Sequence, residues 1–294
     1  MLIVARQALA DLGLIGPETP TPPFFARMSG NLGLTLYLAN GEFVHVKLGL
    51  LTRLDREYRG LKMAHSAMPR NVPEPLGLTT HDSHQVLVSR GVPHKVAVPM
   101  HGGSEIAVFR DGIDAYFASA ATAFRQSGPC RSWSTMGDAL AHVGTRIGWV
   151  NWEAYGRDLR RYEAALPSIL QHGDFAVNNI GVHGSELIYF DWEDFGEVDL
   201  PDFDLAVLLL SLCNFDISRL IETLSGNTLE ADIVRRVCPQ FGASVDDFMR
   251  LFPAYVALYI ESKSRLGYPS GVTDRIAEAL TEWLRLGPAR CHPR

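Results

Sequence analysis

The stretch Gln171–Asp194, QHGDFAVNNIGVHGSELIYFDWED, decides how the rest of the chain is read. Its two β-rich runs, Asn179–Val182 and Glu186–Phe190, flank the turn His183-Gly184-Ser185, so they predict a short hairpin. Asp174 then lies on a loop between a helix and that hairpin. Asn179 opens the first strand and Asp191 follows the second, so the hairpin folds Asp191 back beside Asn179. A carboxylate next to an amide oxygen suits Mg²⁺, a hard ion that takes oxygen ligands and is usually completed by phosphate and water. Asp174, a few residues away, is placed to accept a proton from a hydroxyl.

Working outward, the N-terminal third predicts a small β-rich unit. Residues 2–14 read as a short amphipathic helix, ended by Gly13–Gly16 and the prolines at 17, 20, 22 and 23. Strand-like runs Leu32–Ala39 and Glu42–Leu48 flank Asn40-Gly41, a strong hairpin signal. A helix over Leu54–Met68 and a strand over His84–Ser89 follow, with Val72–Pro75 extended between them by its prolines. Beyond about Ile106 helical patterns dominate: Ile113–Gln126, Trp133–Ile147, Glu153–Leu170 with breaks, Phe203–Leu212, Val245–Arg265 with a kink expected at Pro253, and Thr273–Leu286. The expected architecture is α+β and bilobal, with residues 1–95 as a β-rich lobe and 96–294 as a larger, mainly helical one.

His172-Gly173-Asp174…Asn179 followed by Phe190-Asp191-Trp192-Glu193 resembles the aminoglycoside phosphotransferase and choline-kinase-like family of small-molecule kinases. Asp204-Leu205-Ala206, Val72-Pro73-Glu74-Pro75 and the short N-terminal helix resemble the same family, so the likeness covers most of the chain. It implies a protein-kinase-like fold, ATP and Mg²⁺ as cofactors, and ATP held between the lobes. Under it Asp174 is the catalytic base or hydroxyl-orienting residue, Asn179 and Asp191 hold Mg²⁺, and Glu193 is a further metal or water partner. His172 braces the loop. Lys47 falls on the strand where a kinase places the lysine that contacts the α/β-phosphates, with Glu57 as its ion-pair partner. Arg53, Arg56 and Arg59 offer Glu57 local alternatives. Ser29, Gly30 and Asn31, expected ahead of the first strand, are the phosphate-covering loop, although the G-x-G-x-x-G spacing is absent. Gln85–Gly91 resembles the strand leading to the adenine hinge, where Val86 and Val88 either line that pocket or face the core.

Two features depart from protein kinases. Gly173 stands where they use Arg, and the interval from Asp191 to Asp204 is too short for a regulated activation segment. A small hydroxyl compound is therefore the expected acceptor.

Composition bounds the rest. The 294 residues, 47% hydrophobic and 20% charged, predict about two globular domains without long disorder. The net charge of −6 argues against a nucleic-acid partner. Residues 1–99 carry ten basic and seven acidic side chains, the remainder 17 and 26. That acidic excess, with Glu193, Asp194, Glu197, Asp199 and Asp202 close to the motif, points to a cationic acceptor such as an aminoglycoside. The alternatives are a choline-like amino alcohol, a homoserine-like metabolite or a sugar. A catalytically silent nucleotide-binding module is the alternative of another class. Four dispersed cysteines, no membrane-length apolar run and no signal-peptide layout predict a cytoplasmic protein with no membrane partner. Asp202-x-Asp204 is expected to cap the next helix, and His81-x-x-His84 to be an exposed loop without zinc.

Overall fold

The structure is a computed structural model and describes residues 2–29, 31–49, 51–81, 83–96, 103–268 and 270–290. The chain divides into two compact units, Met1–Ala97 with Asn179–Phe195, and Val98–Asn178 with Gly196–Arg294. The hairpin that carries Asn179 and Asp191 thus groups with the first unit, whereas a division at 95/96 leaves it in the second.

The first unit is built on an antiparallel sheet. Its helices are α1 (Leu2–Asp11) and α2 (Leu51–Ala67). Its strands are β1 (Phe24–Ser29), β2 (Asn31–Tyr37), β3 (Phe43–Gly49), β4 (Pro75–His81) and β5 (His84–Arg90), in the order β1-β2-β3-β5-β4. A smaller sheet joins β6 (Lys95–Val96), β7 (Ile180–His183) and β8 (Glu186–Tyr189).

Strand β1 is absent from the sequence reading, which starts the sheet at Leu32. Pro22 and Pro23 precede it, and it lies at a sheet edge, where the alternating burial that flags a strand is weakest. Consequently Ser29 and Asn31 do not precede the first strand. They end β1 and open β2, facing each other in register across the hairpin connection. Gly30 lies outside the described residues.

Alternation along β3 then separates core from chemistry. Val44, Val46 and Leu48 are buried with Val86 and Val88 of β5 against Val4, Ala5, Ala8 and Leu9 of α1. Val86 and Val88 therefore face the core. Lys47, registered between Gly33 and Leu87, takes the opposite parity. Helix α2 packs against β3, β4 and β5. Its buried stripe reads Leu54, Glu57, Leu61, Ala64, a helical spacing with one carboxylate among apolar side chains.

The second unit is helical: α3 (Gly103–Ala123), α4 (Ser132–Ile147), α5 (Trp152–Leu159), α6 (Phe203–Leu212), α7 (Ile217–Leu224), α8 (Leu229–Val237), α9 (Val245–Arg265) and α10 (Ser270–Arg290). Helix α6 is buried continuously from Phe203 to Leu210, which accounts for an apolar sequence on every face. Helices α7 and α8 are additions to the sequence reading, and α9 runs through Pro253 as one helix. Among the described residues no helix is long and apolar enough to cross a membrane.

Asp202 occupies the N-cap position of α6 at φ +63°, yet its side chain makes no cap bond. The carboxylate is fully buried, and neither oxygen has a hydrogen-bond partner among the described residues. Burial drives its pKa well above the usual carboxylate value. A carboxyl raised on folding contributes stability that is complete below its unfolded value near 3.8 and lost as pH rises above it. Asp202→Asn cannot ionise, and Asn tolerates this left-handed backbone. The melting temperature of the variant minus that of the wild type is therefore expected to climb from pH 4 to pH 8. The ceiling is about 1.4 kcal/mol per pH unit, or roughly 3–6 °C. Parallel melting curves across that range would contradict the assignment.

Candidate active site

In the first unit three carboxylates converge on one ammonium. Lys47 Nζ lies 2.9 Å from Glu57 Oε2, 2.9 Å from Asp191 Oδ1 and 3.0 Å from Glu193 Oε2. One oxygen from each acid falls within 4.8 Å of the others. Two local features bring them together. Gly60 of α2 lies so close to Phe195 that a Cβ there would stand 2.7 Å from that side chain, so the helix can approach the turn Trp192–Asp194. Asp191 itself adopts φ +61°, which turns the chain sharply out of β8. Arg56 Nε fixes the same turn by donating to the Glu193 carbonyl at 2.7 Å. The Asn179 carbonyl accepts from Phe190 N–H at 2.9 Å, tying Asn179 to the residue before Asp191.

The electrostatics follow from the count. Burial works against charge on Lys47, but Glu57, Asp191 and Glu193 outweigh it and hold the ammonium well above the usual lysine range. Burial also pushes Glu57 up to about 7 against the pull of Lys47. Among these four side chains, three carboxylates face one ammonium, so negative charge is in excess when all are ionised. Asp191, at 40% side-chain exposure, is the most accessible of the three. An oxygen-only set with that excess fits a hard divalent cation.

In the second unit the loop before the hairpin is built around Asp204. Rather than capping α6, its carboxylate accepts from the backbone N–H of His172 at 2.7 Å and of Gly173 at 3.0 Å, and from Tyr116 Oη at 2.7 Å. Burial raises the Asp204 carboxyl, opposed by His172 and these donors. Gly173 stands at φ +87°, a backbone that side chains rarely adopt, which is a physical reason for glycine where protein kinases carry Arg. His172 is fully buried with its ring beside Phe175, consistent with a brace.

Two residues that the sequence reading misses reach Asp174. Tyr259 Oη donates to Asp174 Oδ1 at 2.7 Å, and Lys263 Nζ lies 3.1 Å from the same oxygen. Both come from α9, one helical turn apart. A compositional signal existed: Lys47 and Lys263 are two of only four lysines against 23 arginines.

The acidic rim is a different matter. Glu193 pairs with Lys47, and buried Asp194 lies 3.9 Å from Arg56. Glu197 pairs with Arg265. Asp199 is buried and accepts from Ser132 N–H and Oγ, Arg131 N–H and Ser168 Oγ. Despite burial, these bonds hold its carboxyl well below the usual range. With Asp202 enclosed, all five carboxylates are engaged or buried. His81 faces Asp11 at 3.2 Å.

No protein-family model matches this sequence, and no curated protein does. Solved structures do. The aminoglycoside phosphotransferase APH(4)-Ia, in complex with ADP and hygromycin B, superposes with a TM-score of 0.62 over 97% of this chain and 99% of its own. The fold is that of the small-molecule kinases. The amicoumacin kinase hAmiN, with AMP-PNP, Ca²⁺ and Ami, gives 0.61 over 95% of each chain. APH(3'')-Id from Streptomyces rimosus gives 0.50 over 88% of this chain and 99% of that one. Identities of 12–13% make the shared property the protein-kinase-like α+β fold.

Proposed function

We propose that the protein is an ATP-dependent phosphotransferase that moves the γ-phosphoryl group to a hydroxyl of a small molecule. The observation that carries this reading is the cluster of three carboxylates around the single ammonium of Lys47, on a fold shared with proteins solved with ADP, AMP-PNP and Ca²⁺. Asp191 and Asn179 would hold Mg²⁺, with Glu193 beside them. When bound, the ion would neutralise charge on the phosphate oxygens. Glu57 keeps Lys47 charged and directed for the α/β-phosphates. Ser29, Gly30 and Asn31, at the β1–β2 connection, are proposed to cover the phosphates through backbone N–H groups. Asp174 accepts a hydrogen bond from the acceptor hydroxyl, orients it for in-line attack and takes its proton as the new bond to the γ-phosphorus forms and the bond to the departing ADP breaks.

Asp191→Ala tests the first half of this reading. Binding of ATP in the presence of Mg²⁺, followed by calorimetry, is expected to weaken at least about tenfold, while ATP binding in EDTA changes little. Unchanged Mg²⁺-dependent affinity would remove Asp191 from the metal site.

A further inference from the structure

Lys263 is an unusual place for a charge. Its side chain is only 2% exposed, and a buried ammonium costs several kcal/mol unless it is paired. The groups that compensate it include Asp174 Oδ1 at 3.1 Å, the Tyr268 ring at 4.2 Å and the Tyr259 ring at 5.2 Å. The residue also lies in the last turn of α9, where the helix dipole favours a cation. The Tyr268 N–H donates to the Lys263 carbonyl at 3.0 Å, which closes the helix and fixes the aromatic wall. Asp174 Oδ1 is thereby engaged twice, by an ammonium and by the Tyr259 hydroxyl.

We infer that Lys263 is a positioning residue for Asp174, and that its charge restricts the acceptor to neutral hydroxyl compounds, polyols without an ammonium beside the reacting carbon. This inference rests on the phosphotransferase reading. A carboxylate already balanced by a lysine offers little attraction to an amine, and an acceptor ammonium next to the reacting hydroxyl would stand within several ångströms of Nζ. Three acidic side chains that follow the motif in sequence point to other partners or the interior: Glu197 pairs with Arg265, Asp199 accepts from Ser132 and Ser168, and Asp202 is buried. Coulomb repulsion at such separations in a partly buried site supports about tenfold discrimination or more.

The test measures transfer from Mg·ATP to matched acceptors, glucose against glucosamine and ethylene glycol against ethanolamine, with ATP hydrolysis followed in parallel. The wild type is expected to show about tenfold higher kcat/KM for the neutral member of a pair. Lys263→Met should lower kcat and shrink that ratio about tenfold, whereas Lys263→Arg should keep the order. Tyr259→Phe should lower kcat without changing the ratio, since it removes no charge. A wild-type preference for the amine, an unchanged ratio in Lys263→Met, or hydrolysis with no transfer to either neutral compound overturns the inference alone. Neither transfer nor hydrolysis in the wild type overturns the phosphotransferase reading beneath it.

Discussion

Asp174→Asn is expected to lower kcat for phosphoryl transfer by about 10²–10⁴-fold, the range for losing a positioned proton acceptor. The amide still occupies the loop, and the Asp204 bonds to His172 and Gly173 that shape it are untouched. Stability is a separate matter, because the buried Lys263 then loses the carboxylate that lies 3.1 Å from its ammonium. Breaking a buried pair from one side costs about 3–5 kcal/mol, and the 20% exposure of Asp174 puts this case at or below the lower end. The melting temperature should fall on the order of 5–10 °C. Adding Lys263→Met removes the buried ammonium itself, so Asp174→Asn/Lys263→Met should recover much of the stability and none of the turnover. Rapid kinetics and thermal melts on the three variants separate the two effects. Near-normal turnover in Asp174→Asn would remove it from the chemistry.

The second large effect belongs to Lys47. Lys47→Met leaves Glu57, Asp191 and Glu193 close together with no ammonium among them. Like charges at that spacing repel, and Glu57 and Glu193 have little solvent to screen them, with side-chain exposures of 10% and 14%. The apo variant is expected to lose about 3 kcal/mol, or on the order of 5–10 °C in melting temperature. Millimolar Mg²⁺ without nucleotide should restore part of that loss, because a cation that binds only the folded form stabilises it. The wild type, whose cluster already contains a cation, should respond less. The variant should also raise KM for Mg·ATP, since the ammonium proposed to contact the α/β-phosphates is gone. A Lys47→Met protein as stable as the wild type and indifferent to Mg²⁺ would contradict the electrostatic account.

Much of this arrangement is legible in sequence because it is local. His172-Gly173-Asp174 and the following hairpin sit within 24 residues, and a positive φ at Gly173 leaves a visible mark as a glycine. Glu57 is legible as a charge in a helix whose other inward positions are apolar, and Lys47 as one of only four lysines, set inside a strand. What is hidden is what tertiary packing joins. Lys263 lies 89 residues from Asp174, in a helix whose pattern reads as ordinary amphipathicity. The acidic excess looks like a rim because a count of charges is blind to burial, and Asp199 and Asp202 are interior. The two-residue spacing of Asp202 and Asp204 suggests a shared capping role. Packing instead gives one the loop and leaves the other buried without a hydrogen-bond partner among the described residues.

The central claim, that the protein transfers the γ-phosphate of ATP to a small hydroxyl compound with Asp174 as proton acceptor, is tested most directly by following the label. The purified protein is incubated with Mg²⁺, ATP labelled on its γ-phosphate, and a set of neutral sugars and polyols, and the products are separated. The account predicts label in an acceptor, dependent on Mg²⁺ and absent with Asp174→Asn. Nucleotide bound in the presence of Mg²⁺ with no label reaching any acceptor or water would contradict it and leave a binding module in its place.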